Sequence, residues 1–258
     1  MTDIIAATAI AFSFLTTLPM PRVDWTPSRL RYFPAALPLV GLAIGALGAG
    51  FFARLQLWEV SPALRAALMT CLYLIVTGGL HMDGLMDTCD AVFSRRDRDA
   101  RLEILSDTHT GAFAVMGCAV VLLLKTGIFS ELLETFDLRS ARGEFVVLLT
   151  LVPVYSRTGA GLLLYLPFAR EDGLARTLGS ARAPGSRFAL LAIYAAASFP
   201  FVLSAPFGIL GIPLMGIVFL CLYGFYCVKV FGGVTGDLLG AFIEVSETLM
   251  LLTLVAAR

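Results

Sequence analysis

The chain has 258 residues, 58% of them hydrophobic and 15% charged, with a mean hydropathy of +0.86, whereas soluble domains run at roughly 45–50% apolar and about 25% charged. That composition excludes a water-soluble globular enzyme, and 19 Lys+Arg balanced by 19 Asp+Glu without a long basic block exclude a nucleic-acid binder and a disordered chain. What remains is an all-α, polytopic transmembrane helical bundle: at about 20 residues per crossing the length holds about 7–8 spans in a single integral membrane domain over residues 1–258.

The first apolar run, residues 3–18, carries Asp3 and no preceding Lys or Arg. That is the wrong charge for a secretory leader, so the run reads as a retained span or a membrane-surface helix. The second, 33–53, contains Pro34 and Pro38, which membrane helices tolerate where neighbours satisfy the freed carbonyls, and Gly41, Gly45 and Gly48 at a spacing that allows close helix packing. Further runs follow at 64–82, 111–130, 144–167, 187–204, 207–230 and 238–256. Cys71, Cys89, Cys118, Cys221 and Cys227 show no CxxC spacing and read as ordinary thiols of apolar segments.

If all eight runs span, alternate loops share a side. One set holds Arg22, Arg29, Arg31, then Arg95, Arg96, Arg98, Arg101, then Arg170, Arg176, Arg182, Arg187, then Lys229; the other holds Arg54, Arg65, Arg139, Arg142 and Arg258. The excess predicts that the first set is cytoplasmic. Two basic residues fall inside spans. Arg157 lies at a depth comparable with Glu244 and Glu247 and is expected to pair with one of them, while Lys125, near the far end of its span, is expected to snorkel to the outer interface.

The densest polar patch runs from Gly78 to Gly117, and residues 81–111 form the expected cytoplasmic catalytic loop. If the third helix continues past the membrane, Asp83, Asp87 and Asp90 fall at i, i+4 and i+7 on one face. Like charges so close repel unless a cation neutralises them, and oxygen donors suit Mg²⁺, Mn²⁺ or Ca²⁺ rather than zinc. RLEILSD then reads as a short amphipathic helix with Glu103 and Asp107 on one side, which lets Asp107 return a fourth carboxylate. His81 faces away from the aspartates, as a substrate contact or a satisfied interfacial histidine; Asp97 and Asp99 read as solvated partners of the loop arginines.

A second polar constellation is the glycine turn 232–237 and the helix start after it, GGVTGDLLGAFIEVSE. Gly232, Gly233 and Gly236 permit tight turns, and a helix N-terminus offers free N–H groups to phosphate. Asp237 is either an N-cap or a site residue, sharing a face with Glu244.

At these motifs the sequence resembles the cobalamin synthase (adenosylcobinamide-GDP ribazoletransferase) family. The likeness includes GGLHMDGLMDTCDA, RLEILSDTHTGAFAV, FLTTLP with YFPAALPLVG, and GGVTGDLLGA, in order along almost the whole chain. It implies a bacterial inner-membrane, Mg²⁺-dependent transferase, with Mn²⁺ as a substitute, facing the cytoplasm. Such an enzyme joins adenosylcobinamide-GDP to α-ribazole or its 5′-phosphate and releases GMP. On that reading Asp83, Asp87, Asp90 and Asp107 are catalytic metal ligands, and His81, Arg96, Glu103, Arg157, Gly233, Thr235, Asp237 and Glu244 border substrate. Alternatives are a CDP-alcohol-type lipid head-group phosphotransferase, whose DGxxAR signature is absent because Asp87 and Thr88 follow Asp83-Gly84-Leu85-Met86, and an ion-coupled transporter, whose acids belong near the bilayer midplane.

Overall fold

A computed structural model describes residues 2–135, 144–204 and 210–256. In chain order its helices are α1 (Asp3–Leu15), α2 (Pro27–Leu30), α3 (Phe33–Leu55), α4 (Pro62–Thr77), α5 (Leu80–Phe93), α6 (Arg98–Ile104), α7 (Ala112–Thr135), α8 (Glu144–Leu163), α9 (Leu174–Ser180), α10 (Ser186–Ser204), α11 (Gly211–Phe231) and α12 (Gly236–Ala256). Among the described residues five helices, α3, α7, α8, α11 and α12, are long and apolar enough to cross a membrane, or six spans if α4 and α5 are taken as one broken crossing.

The expected span at 3–18 is not among them. At 1.5 Å per residue the 13 residues of α1 reach about 20 Å, short of the ~30 Å hydrocarbon core. The expected span at 187–204 corresponds to α10, a helix of 19 residues. The first residues of the expected run at 207–230 lie outside the described residues, and α11 supplies the rest.

The third expected helix also differs. It does not continue into the aspartates: α4 ends at Gly78, and α5 leaves at 94° to it. Gly78 (φ +61°) and Gly79 (φ +73°) both adopt the left-handed conformation that side chains resist, which stops one helix and starts the next within two residues. The carbonyls released at the end of α4 find a donor in Thr17, just past α1, whose N–H bonds Val76 O at 2.8 Å and whose Oγ1 bonds Ile75 O at 3.0 Å. A bend inside an apolar environment requires such partners. The threonine of FLTTLP is therefore a cap for another helix.

The bundle is held by small residues. A Cβ on Gly41 or Gly45 of α3 would collide with the carbonyls of Pro153 or Thr150 on α8, and one on Gly48 with the Tyr73 hydroxyl of α4, so this stripe is packing, as expected. Phe52, Met69, Phe129, Leu149 and Met250 fill the core where α3, α4, α7, α8 and α12 meet. By contrast Val120, Leu123 and Leu124 of α7 and Leu214, Leu222 and Phe225 of α11 are exposed, the surface expected of lipid-facing helices.

Candidate active site

The acidic helix α5 lies against the start of α12, and two glycines set how closely. A Cβ on Gly84 would stand 2.8 Å from the Asp237 carbonyl oxygen, and one on Gly240 would stand 3.1 Å from that of His81. With no side chains between them, the backbones approach until Asp237 sits beside the aspartates of α5. The charges of Asp83, Asp237 and Asp90 all bear on Asp87, which is only partly exposed. Two motifs about 150 residues apart in sequence thus make one acidic surface.

The glycine turn is fixed by its own chemistry. Gly233 (φ +157°) passes so close to Pro167 and Phe168 that a Cβ would strike their backbone. Val234 N–H donates to Pro167 O at 2.9 Å and receives in return the Ala169 N–H at 3.1 Å on its carbonyl. Thr235, rather than Asp237, caps α12: its Oγ1 accepts the Leu238 N–H at 3.3 Å. The Asp237 carboxylate makes no ion pair among the described residues; Thr235 Oγ1 reaches it at a long 3.4 Å, and its own backbone N–H and the charge of Arg170 act on it.

Two pockets meet at this turn. The first, a cavity of about 140 Å³, has Asp83, Gly236 and Asp237 in its lining together with His81 and Arg157; its walls are apolar, built by Phe14, Leu15, Phe33, Leu37 and Leu178. The second, about 230 Å³, is a polar cleft lined by Arg170, Arg176, Thr235, Gly236 and Asp237. Leu174, Ala175, Gly236 and Asp237 line both, so the two adjoin. Arg170 is tied to α6 through the Leu102 carbonyl and the Ser106 hydroxyl, the latter at 2.8 Å. In the sequence Arg170 and Arg176 are only loop charge; their place in the cleft depends on the pairing of Phe168 with Val234, which no local pattern announces.

Asp90 uses both carboxylate oxygens on the start of α7, accepting from Gly111 N at 2.7 Å and Ala114 N at 2.9 Å. Asp107 is exposed and hydrogen-bonds His109, at 2.6 Å to Nδ1 and 3.0 Å to the backbone N–H, contacts that hold its carboxyl below the usual range. The chain therefore returns to α5 at Gly111, not at Asp107. Arg96 and Glu103 are exposed and line neither pocket.

Glu244, expected at substrate, is buried instead in an ion-pair network between α7, α8 and α12. Lys125 Nζ pairs with Glu244 and, at 3.5 Å, with Glu247. Arg157 pairs with Glu247, as expected of one of the two glutamates. Lys125 does not snorkel: it is 4% exposed, because two carboxylates on α12 meet it inside the bundle. Two cations and two anions cancel, the arrangement that makes intramembrane charge tolerable. Arg157 reaches the cavity floor, where its Nη2 lies 3.4 Å from His81 Nδ1.

Whether the acids suit a metal ion can be judged from their partners. Among the described residues no cation forms an ion pair with Asp83, Asp87 or Asp237, so three mutually repelling carboxylates are available to a hard divalent cation. No three His, Cys, Asp or Glu side chains among the described residues stand close enough to enclose an ion as they are placed. The donor chemistry fits, and Asp90 and Asp107 are the two engaged elsewhere.

The cobalamin-5-phosphate synthase family model matches residues 7–255, a stretch that includes α5, the glycine turn and every wall of the cavity. The chain belongs to the cobalamin-5-phosphate synthase family. Proteins named adenosylcobinamide-GDP ribazoletransferase from Escherichia coli (strain K12), Escherichia coli O157:H7 and Shigella boydii serotype 4 (strain Sb227) are each 37% identical to it over 254 residues, covering 94% of this chain and 96% of theirs. No solved structure matches. Family membership over this length gives the acidic surface and the glycine turn a common setting: a cobalamin-biosynthetic transferase embedded in a membrane.

Proposed function

We propose that this chain transfers the cobinamide phosphate group of adenosylcobinamide-GDP to α-ribazole or its 5′-phosphate. The names of its relatives support the substrates. The observation that carries the chemistry is the position of Asp237, which lines both the cavity that holds Asp83 and the cleft that holds Arg170 and Arg176. The ribazole 3′-hydroxyl attacks the phosphorus that bears cobinamide. A new P–O bond forms to the ribazole oxygen, the P–O bond to the bridging oxygen breaks, and GMP leaves with that oxygen and its electron pair. The hydroxyl proton passes to a carboxylate of the acidic surface and on to solvent.

Asp83, Asp87 and Asp237 would hold Mg²⁺, or Mn²⁺ in its place, which when bound neutralises phosphate charge and aligns the attacking hydroxyl. Arg170 and Arg176 supply fixed positive charge to the diphosphate, and the start of α12 adds backbone N–H groups. The mid-bundle acids of a transporter reading are already neutralised by Lys125 and Arg157. The arginine-rich loops around α2, α6 and α9 are joined by the contacts of Arg170 with Leu102 O and of Ala183 N–H with Arg31 O, and the positive-inside rule makes their shared side the cytoplasmic face of a bacterial inner membrane.

The test is to incubate purified protein in liposomes with adenosylcobinamide-GDP, α-ribazole and Mg²⁺. GMP and a cobamide should appear one for one, with no GMP in the absence of α-ribazole. GMP release that follows an added lipid alcohol instead would favour a head-group phosphotransferase.

A further inference from the structure

The apolar cavity beneath Asp83 and Asp237 needs an occupant that the transfer chemistry does not require. Its walls, from α1, α3 and α9, are Phe14, Leu15, Phe33, Leu37 and Leu178, and offer a ligand no side-chain hydrogen bond. Its ionisable lining residues are Asp83 and Asp237, which reach solvent and mark the mouth, and His81 and Arg157, which are buried and mark the floor. At the floor His81 Nε2 and Arg157 Nε are buried without a hydrogen-bond partner, on residues 2% and 1% exposed. An unpartnered donor at such depth costs about 1–3 kcal/mol and is rarely left without a use. The volume, about 140 Å³, is on the order of the ~150 Å³ that lets an apolar protein cavity take up a benzene-sized ring.

A flat apolar ring carrying a single hydrogen-bond acceptor matches this pattern. We propose that the cavity is the subsite for the benzimidazole base of the acceptor nucleoside, its ring between Phe14, Phe33, Leu37 and Leu178 and its free ring nitrogen toward the Arg157–His81 floor. The assignment rests on the transferase reading and deepens it. With the base inside, the ribose stands at the mouth, where Gly236 and Asp237 also line the polar cleft, and its hydroxyls meet the acidic surface from the cavity side. The diphosphate reaches the same point from the side of Arg170 and Arg176. Selectivity follows from desolvation: a purine would bury the polar edge of its six-membered ring against apolar walls that cannot pair with it, whereas methyl groups on the benzene ring gain burial.

The test has two readouts on the full chain in liposomes. Equilibrium binding of α-ribazole without cobinamide-GDP is followed by the fluorescence of its own base. Transfer is followed as separate KM values for the two substrates. In the wild type, KM should rise at least about tenfold from the dimethylbenzimidazole nucleoside to the α-adenine nucleoside. Leu178→Trp, which fills the cavity without touching the cleft, should weaken α-ribazole binding and raise its KM by a similar factor while the KM for adenosylcobinamide-GDP stays put. Transfer that treats both nucleosides alike, or an α-ribazole KM unmoved in a folded Leu178→Trp protein, overturns the base subsite and leaves the transferase reading standing. Should Leu178→Trp fail to fold, the wild-type comparison decides alone. Saturable α-ribazole binding without transfer would overturn the reaction and keep the subsite; neither binding nor transfer would overturn both.

Discussion

The aspartates of the polar loop do not share one duty, and their duties separate under mutation. Asp90 spends both oxygens on the N–H groups of Gly111 and Ala114. Asp90→Ala should therefore act first on stability, by about 0.5–2 kcal/mol as for other lost helix caps, seen as a lower Tm in detergent. Asp97, cap of α6 through Ala100 N at 3.0 Å, should lose a similar amount on changing to Ala, with transfer per folded molecule preserved. The buried network behaves differently. Removing Lys125 leaves Glu244 without its cation inside the bundle, so Lys125→Met should destabilise by roughly 3–5 kcal/mol. The paired change Lys125→Met with Glu244→Leu should recover much of that loss, and thermal unfolding of the three proteins checks it. The pairing of Arg157 was legible from depth alone, since two charges of opposite sign inside spans must meet. The partner of Lys125 was not, because a lysine near a span end satisfies the sequence equally well by snorkelling, and only the packing of α7 on α12 decides.

At the scale of elements, the site exists because helices touch backbone to backbone. Gly84 of α5 and Gly240 of α12 stand where a methyl group would push against the opposing main chain. Gly84→Ala should part Asp237 from Asp83 and Asp87, and as a 1 Å misplacement can cost on the order of 10²-fold in rate, transfer should fall about that much while the helical circular dichroism stays unchanged. Equal turnover in the folded variant would mean that this crossing does not set the site. The sequence made the acidic face of α5 readable from the spacing of 83, 87 and 90, and the glycine turn from its composition. It did not show the 94° bend, because Gly78-Gly79 is also compatible with a helix end at the membrane surface. Nor did it show that Thr17 closes the bend, since that hydrogen bond joins residues 58 apart.

For the whole molecule, one end of a lipid-embedded bundle gathers the polar chemistry and the rest serves to hold it. The acidic surface and the glycine turn adjoin, so the loops containing Arg96 and Gly233 share a side, and the proposed orientation, from the basic excess of those loops, makes that side cytoplasmic. Single cysteines at 96 and 233, in a protein whose native cysteines are replaced, should resist an impermeant thiol reagent added to intact cells and react once the membrane is opened. Ready labelling of both from outside would invert the orientation. The polytopic helical class followed from composition, whereas the count of crossings did not: a 13-residue apolar helix such as α1 and a broken span have the hydropathy of full spans but not their length or straightness. The central claim, that unpaired carboxylates at the α5–α12 junction drive phosphoryl transfer with a divalent cation, is tested most directly by measuring cobamide formation against Mg²⁺ concentration for the wild type and for Asp83→Asn, Asp87→Asn and Asp237→Asn. The account predicts saturable Mg²⁺ dependence in the wild type and rates lower by about 10²-fold or more in the folded Asp83 and Asp87 variants; turnover that survives exhaustive chelation, or those variants matching the wild type in rate and metal dependence, would contradict it.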